Sequence, residues 1–184
     1  ASIKYTSLIV YPMAAAVIAM SPQIIEILYG GSYPQAPLYM KLYLALFFFT
    51  GLGSLSNLRL LNSQHMTKTS LNVNLLQNLV TLPLNIFLVP RYGVIGLLIS
   101  ELVAPRVGTV YSLWEIKKRF GFSPDYQATV KTFIPSFVGY VAAACVFSRV
   151  SLNPWVELFS GGMLVLVIYV MGVVFLGALS KDDI

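Results

Sequence analysis

Six apolar stretches, each about 18 to 25 residues long, fill most of this 184-residue chain and are separated by short polar joints. A helix rising about 1.5 Å per residue needs that length to cross a hydrocarbon core of roughly 30 Å. The bilayer is therefore the solvent this chain has to satisfy, and the expected fold is an all-α membrane protein. Charged residues make up 10% of the sequence and hydrophobic ones 57%, whereas soluble domains carry about 25% charge. Gly and Pro are tolerated in membrane helices because neighbouring helices and hydroxyl side chains take up the freed backbone groups. Here they fall within the apolar stretches at Pro12, Pro22, Pro83, Pro105, Pro135, Gly51 and Gly53, so several helices are expected to kink.

The spans read as residues 7–28, 38–56, 70–89, 94–114, 130–147 and 155–179. Tyr29-Gly30-Gly31-Ser32-Tyr33-Pro34 is a turn joint by its Gly and Pro content, and Asn153-Pro154 is another. Pro90-Arg91-Tyr92-Gly93 leaves so little chain between the third and fourth spans that they form a helical hairpin. Six spans place both termini on one side. That side receives Lys4, Arg59, Lys68, Lys117, Lys118, Arg119, Lys131 and Lys181, and the other receives Lys41, Arg91 and Arg149. The excess of cations assigns both termini to the cytoplasm. The net charge of +5 thus has a membrane explanation and implies no nucleic-acid partner. Cys145, the single cysteine, excludes an intrachain disulfide and a thiolate metal cluster. The chain opens at Ala1 and enters a span almost at once with no cleavable signal pattern, which reads as a piece of something longer; the alternative is a leader removed before Ala1.

The third span is the most informative. At 100° per residue, Thr67, Ser70, Asn74, Asn78, Thr81 and Asn85 fall within an arc of about 80°. Amides facing lipid would leave donors and acceptors unpaired at several kcal/mol each, so the stripe has to face protein or water. Two readings follow: a wall of a hydrated cavity for a hydroxyl-rich or headgroup-bearing substrate, or hydrogen bonding between helices.

Glu101 and Arg106 lie near the middle of the fourth span, where an ionisable group costs at least about 2.5 kcal/mol. Five residues apart, they point about 140° away from each other on a regular helix, unless a kink at Pro105 changes this. Arg106 is a candidate contact for a phosphate and Glu101 a candidate proton or cation site; alternatively each pairs with another helix. His65 sits in the polar joint beside Lys68 and reads as a solvated loop residue. Tyr29, Tyr33, Tyr39, Tyr43, Trp114 and Trp155 fall near span ends, as anchors in the headgroup zone or as platforms for sugar stacking. Gly161-Gly162 and Ala142-Ala143-Ala144 permit close helix approach. No metal-spaced His, Cys or carboxylate set, phosphate-cradling Gly loop or catalytic acid pair is present in the sequence, so neither an enzyme nor a cofactor or metal site is expected.

Ile24-Ile25-Glu26-Ile27-Leu28-Tyr29-Gly30-Gly31-Ser32-Tyr33 followed by Ala36 resembles the end of a helix in polysaccharide flippases. Further along, Leu60-Leu61-Asn62-Ser63 with Lys68, and Leu82-Pro83-Leu84-Asn85-Ile86-Phe87-Leu88-Val89-Pro90-Arg91-Tyr92-Gly93-Val94-Ile95-Gly96, resemble the middle of their carboxy-terminal halves. The resemblance is to the multidrug, oligosaccharidyl-lipid and polysaccharide exporter superfamily. It covers residues 3–119, and the last two spans match only in hydropathy. It implies the six-helix carboxy-terminal lobe of a two-lobed flippase in the cytoplasmic membrane, its amino-terminal lobe lying outside this chain. It implies movement of a polyprenyl-diphosphate-linked glycan from the inner to the outer leaflet by alternating access. Gly30, Asn85, Pro90, Gly93 and Gly96 carry over as structural residues. Asn74, Asn78, Asn85 and Arg106 are the expected substrate-side residues, with Arg59 a further cationic candidate. The alternatives are a cation-coupled drug exporter of the same superfamily, in which Glu101 would be essential, and a membrane scaffold that captures glycan-assembly enzymes through an exposed loop at residues 117–122.

Overall fold

The computed structural model describes residues 2–52, 61–121, 126–147, 149 and 153–177. Every regular element among them is helical: α1 Ser2–Ala19, α2 Ser21–Tyr29, α3 Ala36–Ala45 running into a 3-10 segment Leu46–Leu52, α4 Thr67–Tyr92, α5 Val94–Phe120, α6 Tyr126–Phe147 and α7 Pro154–Phe175. Arg59, Phe122 and Lys181 lie outside the described residues.

Four of these helices, α4 to α7, are long and apolar enough to cross a membrane, and the α1–α2 pair makes a fifth if it is one broken span. The expected first span is thus two helices, bent by 63° at Met20. Pro22 is the cause: it opens α2, it has no N–H to give the carbonyl of Ile18, and its ring cannot follow a straight helix. Of the expected second span, 38–56, the described part is helical as far as Leu52 and tightens to 3-10 geometry after Ala45, and residues 53–56 lie outside the described residues. The other boundaries move outward. α4 starts at Thr67 inside the expected polar joint, Pro90 to Tyr92 are still helical, and α6 starts at Tyr126. The expected loop at residues 117–122 is helical as far as Phe120. Lys117, Lys118 and Arg119 form the last turn of α5, where cations complement the negative end of the helix dipole.

Membrane prolines free carbonyls, and two of those carbonyls have identifiable donors. Pro12 cannot bond the carbonyl of Leu8, and the hydroxyl of Tyr169 on α7 donates to it at 2.7 Å. Pro22 cannot bond that of Ile18, and the Ser21 hydroxyl donates to it at 3.0 Å. The first bond ties the start of α1 to the far end of α7.

α1, α6 and α7 pack as a bundle, with α2 laid on the start of α7. Its centre is made of small residues, Ala15, Ala19 and Ala143, around Met20 and Val165. Gly161 lets Met20 in: a Cβ there would meet the Met20 sulfur at 2.2 Å. α4 and α5 form the expected antiparallel hairpin, turned by Gly93 at φ 57°, ψ −130°, a backbone region that is essentially Gly-only. Gly96 brings the two legs together, since a Cβ there would lie 2.3 Å from the Leu88 carbonyl oxygen. The hairpin reaches the rest of the molecule through α5, which touches α3 and the 3-10 segment. Among the described elements α4 packs on α5 alone.

Candidate functional site

The hairpin carries the polar residues singled out above, and the fold separates them into two groups. Asn85 faces the seam, where its side-chain oxygen accepts a hydrogen bond from the Ser100 hydroxyl of α5, which also donates to the Leu97 carbonyl at 2.8 Å. Ser70 is buried near the other end of the seam, and the Thr81 hydroxyl donates to the Gln77 carbonyl at 2.9 Å. Gln77 was not part of the sequence stripe, because it falls just outside the arc. It nevertheless crosses the hairpin, its side-chain amide donating to the Pro105 carbonyl at 3.4 Å beside Gly108. An amide one helical position from a polar stripe and opposite a Gly-containing helix was the available signal.

Asn74, Asn78 and Thr67 are exposed. They sit between the seam and an outer face of Leu71, Leu75, Leu79, Leu82 and Ile86, all exposed as well. The leucines suit lipid or another apolar surface. The two amides need protein or water. α4 thus has one polar edge engaged by hydrogen bonds to α5 and an adjacent polar edge left exposed.

Arg106 meets another helical element through an aromatic ring, not through an acidic side chain. Its Nε–H donates to the Leu102 carbonyl of its own helix at 3.0 Å, and its guanidinium lies over the Phe49 ring, 3.9 Å from the centroid. That cation–π contact joins α5 to the 3-10 segment, and such contacts contribute about 0.5 to 2 kcal/mol. The side chain is half-buried, and a guanidinium carries four further N–H donors beyond Nε. Glu101 does not reach Arg106, and among the described residues it has no ion pair or hydrogen-bond partner. α5 stays helical through Pro105, so the separation around the helix persists. His65 is exposed in the turn before α4, at φ 56°, with its N–H bonded to the Asn62 carbonyl at 3.1 Å.

Comparison with known families adds a separate finding: the sequence model described as Lipid II flippase MurJ matches residues 1–175. This chain belongs to the MurJ lipid II flippase family. The family lies within the exporter superfamily that the sequence motifs resemble, and its members are flippases, transporters rather than enzymes. No curated protein and no solved structure matches the chain. Membership reaches through α6 and α7, where the motifs themselves had shown only hydropathy. It makes this a multi-pass membrane protein with a lipid-linked precursor as the expected cargo class. Among the structural residues carried over from the resemblance, Gly30 ends α2 in the left-handed region at φ 57°, ψ 35°, its N–H bonded to the Glu26 carbonyl. Gly93 and Gly96 build the hairpin turn described above.

Proposed function

We propose that this chain forms the carboxy-terminal lobe of a flippase that carries a polyprenyl-diphosphate-linked saccharide across the cytoplasmic membrane by alternating access. The observation that carries the proposal is the open polar edge of α4: Asn74 and Asn78 stand exposed on a helix of a lipid II flippase family member. In this reading the edge faces a wet cleft closed on the other side by an amino-terminal lobe. The amides hydrogen-bond sugar hydroxyls while the prenyl tail stays in lipid. Arg106 offers its remaining donors to the diphosphate, for which a planar fork of N–H groups is well suited. Asn85 acts on the substrate indirectly, by holding α4 against α5. Both termini are cytoplasmic.

The test is the fraction of lipid-linked saccharide facing each leaflet in cells with the intact protein, without it, and with Asn74→Leu/Asn78→Leu. Cytoplasmic-face accumulation both without the protein and with the correctly inserted double variant supports flipping and the polar edge together. Accumulation only on loss of the protein reduces the edge to packing. No accumulation in either case removes the flippase reading in favour of drug export, for which Glu101→Gln should abolish activity, or of scaffolding.

A further inference from the structure

The described residues hold a second feature that the hairpin does not use. The end of α2, the turn into α3 and the start of α7 enclose an open cleft of about 500 Å³. That volume lies within the range of small-ligand sites, about 300 to 1,000 Å³. Tyr33 and Trp155 line it and are 59% and 56% exposed. Glu26 lines it too, exposed, and its carboxylate makes no ion pair or hydrogen bond among the described residues. Gly30 and Gly31 contribute no side chain, and a Cβ at either would meet nothing within 4 Å, so a ligand can approach the backbone there.

The walls are preorganised. Pro22, Pro34, Pro37 and Pro154 stiffen all three segments. The turn is closed by hydrogen bonds from Ser32 N–H to the Tyr29 carbonyl and from Ala36 N–H to the Tyr33 carbonyl, each 3.1 Å. Tyr29 packs edge-on against Tyr33, with ring centroids 5.4 Å apart at 86°, and so holds the Tyr33 ring in place. The Gln23 amide, half-buried, donates to Glu157 at 2.7 Å and ties α2 to the first turn of α7. Rigidity of this kind lowers the ordering cost of binding.

The chemistry selects the ligand. The wall from α2 supplies acceptors, the Glu26 carboxylate and the negative end of the helix, while α7 presents its positive end. The positive end of α7 is already answered by the Asn153 side chain and by Glu157 in its first turn, and a bare anion would in addition meet Glu26. A neutral ligand bearing both hydroxyl donors and carbonyl or hydroxyl acceptors suits both walls, and the C–H face of a pyranose suits the Tyr33 and Trp155 rings, which are apolar bodies with polar tips. We propose that this cleft is a saccharide-binding site, with Tyr33 and Trp155 as stacking platforms and Glu26 as acceptor for sugar hydroxyls, through charge-assisted bonds. Resting on the flippase reading and its cytoplasmic termini, which put the turn after α2 on the outer side, it would hold the sugar headgroup where the headgroup leaves.

The probe is radiolabelled di-N-acetylchitobiose, a neutral soluble amino-sugar disaccharide, in equilibrium dialysis against the intact protein in lipid nanodiscs. Saturable binding is expected, weakened at least tenfold by Glu26→Gln and by Trp155→Ala and retained in Trp155→Phe, with thermal unfolding of each variant unchanged. No saturable binding, or binding indifferent to Glu26 and Trp155, overturns the site. Displacement of the disaccharide by millimolar choline, with choline binding the tighter of the two, overturns it in favour of a cation site. The two readings separate cleanly. Disaccharide binding without any leaflet effect on loss of the protein retains the cleft and removes the flippase, and normal flipping without disaccharide binding does the reverse.

Discussion

Replacing Tyr169 by Phe removes one oxygen from a side chain that is 5% exposed and leaves the ring in place. What it takes away is the donor to the Leu8 carbonyl, 2.7 Å distant, which Pro12 has deprived of its helical partner. An acceptor left unsatisfied costs about 1 to 3 kcal/mol, and hydrogen bonds between membrane helices measure about 0.6 on average and at most about 1.7. The overlap of those ranges puts the expected loss near 1.5 kcal/mol, about tenfold in the folding equilibrium. The reasoning makes a sharper claim in the Pro12→Ala background. There an amide N–H at position 12 reaches Leu8 in the ordinary helical way, and the Tyr169 hydroxyl becomes redundant. Tyr169→Phe should then cost less than about 0.5 kcal/mol, leaving a coupling of about 1 kcal/mol between two residues 157 positions apart. The measurement is a double-mutant cycle on SDS-induced unfolding of the intact protein in mixed micelles. An equal cost of Tyr169→Phe in both backgrounds refutes the claim that the bond exists to serve the proline.

Gly96→Ala should destabilise the hairpin by about 1 to 3 kcal/mol, because its Cβ meets the Leu88 backbone oxygen, while Gly162→Ala, whose Cβ meets nothing within 4 Å, should be neutral or stabilising in the same unfolding assay. Asn85→Leu should cost about 0.6 to 1.7 kcal/mol through loss of the Ser100 bond, whereas Asn74→Leu and Asn78→Leu should leave stability within about 0.5 kcal/mol and act on transport alone. Phe49→Leu should remove the cation–π contact of Arg106 and lower stability by about 0.5 to 2 kcal/mol, read by thermal unfolding in nanodiscs. In a Cys145→Ala background, a membrane-impermeant thiol reagent added to whole cells should label Ser32→Cys and spare Lys118→Cys; the opposite pattern would invert the assignment of the termini.

The hairpin was legible in the sequence because its signals are local. Gly93 is a turn residue that needs no tertiary partner to be read, and the polar stripe follows from helical periodicity alone. The 63° break at Met20 was less so. Pro22 announces a kink, but a kink and a break into two helices differ by how the chain around it packs, and Met20 is held at the break by Gly161, 141 residues away. The change to 3-10 geometry after Ala45 in the second span was not legible for the same reason, since hydropathy does not distinguish one helix type from the other.

The sequence by itself determined that the chain lives in lipid, that it is helical and that α4 carries a polar edge, because desolvating backbone and amide groups costs several kcal/mol apiece and leaves few alternatives. Its order of motifs also determined the superfamily. Only the tertiary structure decided which amides are spent on the seam and which remain open, since Asn74, Asn78 and Asn85 share one helical stripe and differ only in what stands opposite them. Likewise it alone set Arg106 over Phe49, and joined Glu26, Tyr33 and Trp155 around one cleft. Such pairings depend on the meeting of helices far apart in the chain, and no local pattern encodes them.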